Sequence, residues 1–460
     1  MSGLFGTLST ALSGLSVSQD EMATTSNNVA NANTPGYSRE VTDIAAGDPI
    51  EEGAIGYGTG VVLQKIESLR DPILQIQIHQ ATGQNSSLNA ALTELQQIQS
   101  QFASSSTGIG ADISNFFNSL QQLSPDPTSV TLRQGVLTAA GTLATDLNTA
   151  AQSLQTQRSD IDQNVVQSVS QVNSLTSQIA SVDQQIATLQ NAKQGTGTLV
   201  DTQNNLIQQL SGLIGVAVIK TDQGISVATA NGTALVSGSQ SFALSTQLGT
   251  NGVQHILSGA QDITNSLTGG SLAGLIQVRD QEIPAISGSL DQLAAGLATN
   301  LNAANAMGTD LNGVVGGNIF ATPPAGGVGA AATMTVTMTD PSLIAASSDG
   351  TVGSNGNLAN LSAVATEPLA NGQTPINTYA DLVSQVGSDT ANTSADADSS
   401  SLILQQLNDE NGSISGVSLD EEASNLIQYQ TAYQAAAHVV STINLLLLDA
   451  VNLGMDAAEE

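Results

Sequence analysis

The two ends of the chain carry apolar stripes that neither end can bury alone, and this narrows the possible folds more than any other feature. From Ser2 to Val29, apolar residues fall at Leu4, Leu8, Ala11, Leu15, Met22 and Val29. The steps are threes and fours or their sums, which put these side chains on one face of a helix. Pro35 and Gly36 end it near Asn33, since a residue before proline avoids helical geometry and glycine permits a positive φ. At the other end Leu426, Tyr429, Tyr433, Ala436, Val440, Ile443, Leu447 and Ala450 keep three-four spacing without a polar interruption. Asp420, Glu421 and Glu422 precede them, where carboxylates complement the positive end of a helix dipole. The simplest way to cover both stripes is to pair them. That brings the N- and C-termini together and sets one domain from residues 1–45 and 416–460.

Residues 46–415 then form an outer, mainly helical domain. Its clearest signal is Ile161, Val165, Ser168, Val172, Leu175, Ile179, Val182, Ile186 and Leu189, a four-three seam within a coiled-coil helix over 154–193. Ser168 is its polar interruption. Its flanks are Gln, Ser and Asp rather than charge pairs, so the seam is expected to pack against helices of the same chain. A β-rich insert over 213–260 is read from Val216–Lys220, Ile225–Thr229 and Thr233–Val236, divided by Asp222-Gln223-Gly224 and Asn231-Gly232 turns. Extended segments are also expected at Glu40–Ile44 and Gly60–Ile66, punctuated by Gly53, Gly56 and Gly58. Helices follow over Leu88–Phe102 and Ile113–Leu123, over Ser271–Asn305 with a break at Pro284, and over Tyr379–Val386 and Ser399–Leu407. A loop-rich region over 306–376 holds one expected strand, Thr333–Thr339. The fold class is mainly α with a small β insert, an elongated multi-domain chain whose terminal helices pair as a coiled coil.

Composition closes off several functions. Aromatic residues make up only 2% of the 460 residues and Trp is absent, a poor basis for an aromatic-lined ligand pocket. Eight basic residues face 39 acidic ones, for a formal net charge of -31, and no Lys or Arg follows Arg279. Such a field repels phosphate backbones and anionic lipid heads, so neither nucleic acid nor a membrane is an expected partner. No Cys is present, which removes disulfides, thiolate metal sites and a cysteine nucleophile. Met1–Leu15 lacks the basic start of a cleaved signal peptide, and no run of about 18 uninterrupted apolar residues occurs. His79, His255 and His438 have no ligand spacing, and Asp389, Asp396 and Asp398 read as a solvated acidic loop. No catalytic or metal motif stands out, no cofactor is implied, and the chain is not expected to be an enzyme.

The segment Asn27-Asn28-Val29-Ala30-Asn31-Ala32-Asn33-Thr34-Pro35-Gly36-Tyr37-Ser38-Arg39 resembles the N-terminal signature of flagellar rod, hook and hook-associated subunits. Three further stretches resemble the hook-associated proteins of the hook–filament junction. They are Gly270–Leu275 with Arg279-Asp280, then Asp310-Leu311-Asn312-Gly313 with Gly316 and Phe320, and lastly Gly416–Ala423 with Tyr429–Ala435. Together they span nearly the whole chain. Departures occur at His438, where the family usually carries Arg, in the Leu-rich run Ile443–Leu453, and at Asp201–Asn204, which replaces a more charged stretch.

The resemblance implies a structural adaptor that joins hook to filament as a ring of copies. Hook protein would lie below, and a second junction protein with the flagellin filament above. It also implies terminal helices that fold on assembly, an export chaperone on the C-terminal helix, and type III export from cytoplasm to cell exterior. The expected assembly residues are Leu4, Leu8, Leu15, Met22, Asn31, Pro35, Gly36, Tyr37, Leu426, Tyr429, Tyr433, Val440, Ile443 and Leu447. The alternatives are a hook or distal rod subunit, or an adhesin or enzyme on a coiled-coil stalk.

Overall fold

A computed structural model describes residues 2–52, 55–102, 108–192, 194–221 and 224–456. The expected turn at Asp222-Gln223 and Gly53 lie outside the described residues. The chain divides into two compact units. The first comprises residues 1–82, 172–243 and 402–460, and the second 83–171 and 244–401.

In the first unit, α1 (Ser2–Asn31) packs against α11 (Leu419–Asp456), so the two amphipathic ends do pair. Strands β1 (Glu40–Ala46) and β4 (Val61–Ser68) pair antiparallel against α1, with a bulge between Asp43 and Ile44. Between them lies a short hairpin, β2 (Ile50–Glu52) with β3 (Ile55–Tyr57). The first turns of α2 (Pro72–Phe102), the last of α4 (Val130–Asn191), α5 (Gly197–Leu213) and the end of α10 (Pro375–Ser415) complete the helices. A four-stranded antiparallel sheet is formed by β5 (Val216–Thr221), β6 (Gly224–Thr229), β7 (Ala234–Ser237) and β8 (Gln240–Ser241). Its β6–β7 turn is Asn231-Gly232, with φ +92° at the glycine.

The second unit holds the rest of α2, α4 and α10 with α3 (Ile109–Leu123), and the sheet of β9 (Leu244–Leu248), β10 (Gln254–Ser258) and β11 (Gln261–Asp262). Next come α6 (Gly270–Gln277), a π-turn at Val278–Glu282, α7 (Ile283–Ala306), α8 (Ala330–Thr333) and α9 (Gly356–Ala363). The break expected at Pro284 is that π-turn: proline offers no N–H and crowds the preceding turn, so the helix widens before it. Phe116, Leu120, Leu143, Leu147, Leu290, Leu297 and Phe320 are fully buried, and Phe116 meets Phe117 and Phe320 at ring separations of 5.3 and 6.2 Å.

Three expectations change. The buried face of α4 is Ile161, Val165, Val169, Val172, Thr176, Ile179, Asp183 and Ile186, while Ser168, Leu175 and Val182 are half-buried. The seam shifts because Asp183 has internal partners, accepting from Gln203 Nε2 at 3.0 Å and Ile225 N at 3.4 Å. Residues 387–398, read as an acidic loop, are helical, and α10 is continuous. Ala397 is buried there, and its carbonyl accepts from Asn85 on α2, so tertiary contact overrides weak local propensity. Thr333–Thr339 forms a single bridge, Val336 to Phe320, because the segment alongside it pairs only over 319–321, through Ala321 N to Thr335 O and Thr337 N to Ile319 O.

The loop-rich stretch is held by buried amides and one guanidinium. Asn302 donates to Phe320 O and accepts from Ile319 N and Phe320 N, while Asn305 donates to Gly317 O and accepts from Ala345 N. Arg133, 1% exposed, donates to the carbonyls of Pro127 and Ile344 at 2.6 Å each. Asp310 closes its own turn by accepting from Asn312 N and Val314 N.

Candidate assembly site

The α1–α11 pair is apolar along much of its length and polar where α1 ends. On α11, Ile443 is buried, with Tyr429, Tyr433, Val440 and Leu447 half-buried around the same stripe and Leu426 exposed. On α1, Leu4, Leu8, Leu15 and Met22 are half-buried, and Val29 is exposed. The most deeply buried residues of α1 are Val17, Ser18, Thr24, Thr25 and Asn28, so its second half turns a polar face inward.

That polar face organises the expected signature. Asn31 is half-buried and donates to the Asn27 carbonyl at 3.0 Å. Thr34 and Tyr37 continue the turn through backbone bonds, and Gly36 sits at φ +76°. Pro35 and Gly36 are exposed, and a Cβ on Gly36 would strike the side chain of Asn205. The turn therefore needs glycine twice over, for its φ and for space.

Asn28, 1% exposed, has its amide saturated. It donates to Glu40 O at 2.9 Å and Glu422 Oε2 at 3.2 Å, and accepts from Tyr37 Oη and Glu40 N at 2.9 Å each. Arg39 reaches α11, with Nη2 2.8 Å from Glu421 Oε1 and Nε 2.7 Å from Glu422 Oε1, while its N–H donates to Ser415 O. A second clamp lies beside it. Asp201 accepts from Ser38 N at 3.1 Å, from Ser38 Oγ at 2.8 Å, and from Arg70 Nη2 and Nε at 2.7 and 3.2 Å. The two clamps tie the end of α1, the β1–β4 hairpin, α5 and the start of α11 into one piece.

The electrostatics follow from burial. Desolvation, then the carboxylates of Glu40, Asp201 and Glu422, push the Tyr37 phenol well above its ordinary value. Burial, then Glu21 and Glu422, raise Tyr429 in the same way. Burial alone would lower Arg39, but the Glu421 and Glu422 carboxylates outweigh it and hold the guanidinium charged. Asn28, Ser38, Arg70, Asp201 and Glu422 were not among the expected assembly residues. The available signal was scarcity, since a chain with eight basic residues places Arg39 and Arg70 31 positions apart.

Outside this knot the pair is uncovered. Phe5 and Leu12 on α1, and Ile427, Leu445, Leu446, Leu448 and Val451 on α11, are exposed, Leu445 by 62%. Within 375–452 lies an 18-residue helical window apolar enough to cross a membrane, of which only 6% is buried. Ser441, Thr442, Asn444 and Asp449 interleave the leucines of α11. Exposed apolar patches of this kind mark interaction surfaces, for protein or for membrane. The arrangement is a packing device, and among the described residues no group of three or more metal-ligating side chains occurs.

Comparison with known proteins agrees with this geometry. Residues 95–320 match the profile described as the flagellar hook-associated protein FlgK helical domain. Residues 8–37 match the flagella basal body rod protein profile, and 412–453 the C-terminal profile of the flagellar basal body rod FlgEFG proteins. Flagellar hook-associated protein 1 of Escherichia coli K12 is 26% identical over 97% of this chain and 99% of its own length. That of Bacillus subtilis 168 is 29% identical over 99% of both chains. The structure of the flagellar hook junction protein FlgK from Burkholderia pseudomallei superposes with a TM-score of 0.66 at 19% identity, covering 74% of this chain and all of that one.

Proposed function

We infer that this chain, a member of the flagellar hook-associated protein 1 family, is a structural adaptor of the bacterial flagellum that joins hook to filament. The observation that carries this is the α1–α11 pair, locked at its base by Arg39, Asn28 and Glu422 and left apolar along its outer faces. In this reading residues 1–45 and 416–460 form the inner packing domain and 46–415 the outer domain. Copies assemble as a ring through Leu4, Leu8, Leu15 and Met22 of one end and Leu426, Tyr429, Tyr433, Val440, Ile443 and Leu447 of the other. Asn31, Pro35, Gly36 and Tyr37 shape the turn that holds this surface to the hairpin.

The ring seats on hook protein and presents its far side to a second junction protein and the flagellin filament. Before export the exposed leucines of α11 need cover, which a cytoplasmic chaperone on that helix supplies. The working location is the cell exterior, and the role is structural rather than catalytic.

Deleting the gene in its source bacterium and imaging the cells by electron microscopy tests the reading. Hooks without filaments, with unpolymerised flagellin in the medium, are expected. Cells without hooks would move the protein into the rod or hook, and normal filaments would overturn the flagellar role.

A further inference from the structure

The second unit contains a carboxyl pair that the assembly role leaves unused. Asp112 lies in the first turn of α3 and is 8% exposed. Its Oδ2 is fully buried, and none of the described N–H or O–H groups donates to it. The group nearest in character is another acid: Asp146 on α4 lines a cleft with Gly108, Ile109 and Tyr379 at the start of α3 and acts on the Asp112 carboxyl as a hydrogen-bond partner. Two ionised carboxylates offer four acceptors and no donor, so that contact exists only if one of them carries a proton.

The surroundings offer no other remedy. From α10 comes Tyr379, 9% exposed, whose phenol is raised by burial and then by Asp112. Asn115, Gln134 and Thr138, which line the cleft beside Asp112, are neutral. No Lys, Arg or His figures among the groups that act on the Asp112 carboxyl, in a chain with only eight basic residues.

We propose that Asp112 and Asp146 form a carboxyl–carboxylate pair that holds one proton between α3 and α4 and loosens their packing as that proton leaves. Desolvation first, and then the hydrogen bond and charge of Asp146, move Asp112 up from 3.8 to about 6. The folded chain therefore keeps a proton that the unfolded chain releases. The pair's contribution is fully present below pH 3.8, declines as pH rises toward about 6, and is gone above it.

Hydrogen exchange of the full-length chain, read on peptides covering α3 and corrected for intrinsic rates, tests this. Between pH about 4.5 and 7.5 the opening constant of α3 should rise roughly 20-fold in the unsubstituted chain, from the shift and its linkage relation. In Asp112→Asn, where an amide donates permanently as the acid does when protonated, the rise should vanish. Asp146→Asn should act alike, which guards against a local defect peculiar to one variant. In infrared difference spectra, a protonated-carboxyl band present at pH about 4.5 should be missing from both variants. Opening that does not depend on pH in the unsubstituted chain would overturn the proposal. So would protection at pH about 7.5 that rises on adding millimolar calcium or magnesium and is lost in Asp112→Asn, because the pair would then hold a cation.

Discussion

Removing Asp201 should release the β1–β4 hairpin from α5, and the size of the effect follows from its bonds. The carboxylate accepts from Ser38 N, Ser38 Oγ and two nitrogens of Arg70 between 2.7 and 3.2 Å, and the ion pair has side-chain exposures of 15% and 11%. Asp201→Leu leaves the Ser38 N–H without an acceptor, and leaves the Arg70 guanidinium with only Ser38 Oγ and the Gly197 carbonyl and no carboxylate to pair its charge. Breaking one half of a buried pair costs about 3–5 kcal/mol, most of it the cost of the stranded charge. Hydrogen exchange of peptides covering 38–46, 61–70 and 197–205 reads the local opening, which avoids assuming that two units unfold as one. At 1.36 kcal/mol per decade, exchange there should speed up by roughly 150- to 5,000-fold. Arg70→Met in the same chain should restore most of the protection, because an apolar pair of similar volume no longer strands a charge. Unchanged exchange in Asp201→Leu would refute the clamp, and a double variant as labile as the sum of the singles would refute the coupling.

Ile443→Asp puts a charge at the one fully buried position of the α11 stripe, and should lower helix-pair stability by several kcal/mol and abolish filament attachment in complementation assays. His79 is buried and held neutral, with its value lowered from 6.5 to about 4 by desolvation, which the Asn204 carbonyl offsets only in part. Its stability contribution is therefore intact above pH 6.5, declines as pH falls toward 4, and amounts to about 3 kcal/mol. His79→Leu should remove that acid sensitivity from exchange of the α2 peptides, and an unchanged acid profile would exclude His79 as its source. Gly274 and Gly288 are both helical glycines with opposite expectations. A Cβ on Gly274 would run into the Ser87 carbonyl, so Gly274→Ala should destabilise by about 1–3 kcal/mol. Nothing lies within 4 Å of a Cβ on Gly288, so Gly288→Ala should stabilise by up to about 1 kcal/mol, both read as shifts in urea midpoint.

Periodicity made much of the fold legible, and polar partners explain most of what it did not. The terminal stripes announced their pairing because threes and fours on two lone helices leave few alternatives. The strands from Val216 to Ser237 were readable from alternation and Asn231-Gly232. The α4 seam was placed one residue off at alternate turns because Thr176 and Asp183 look like surface residues. Asp183 is drawn inward by Gln203 and Ile225, neither adjacent in sequence. Residues 387–398 looked like loop because serines and aspartates have low helix propensity, and nothing local shows that α2 supports them. At the assembly site, Tyr37 and Asn31 were recognisable from the signature, whereas Asp201 was noted only as a departure in charge. Its role depends on Ser38 and Arg70, 163 and 131 positions away.

Four of the five arginines, Arg39, Arg70, Arg133 and Arg279, share a feature that composition alone hinted at. Arg39 joins the α1 turn to α11 across 382 positions, and Arg70 joins the hairpin to α5 across 131. Arg133 joins the start of α4 to the 341–344 segment across 211, and the fully buried Arg279 joins the π-turn to Asp162 on α4 across 117. Each stands where a unit is closed by a segment remote in sequence. A helix pair can slide along a stripe of leucines and alanines by a turn with little loss, since many registers bury similar area. A guanidinium with a fixed fork and one matching carboxylate or carbonyl cluster does not allow that slip. In a chain of 39 acids and eight bases, cations placed at these closures define register, and the acids left over on the surface keep unassembled copies apart. The proposed assembly would bring copies together through the exposed apolar faces of α1 and α11, whose alignment Arg39 holds at its base.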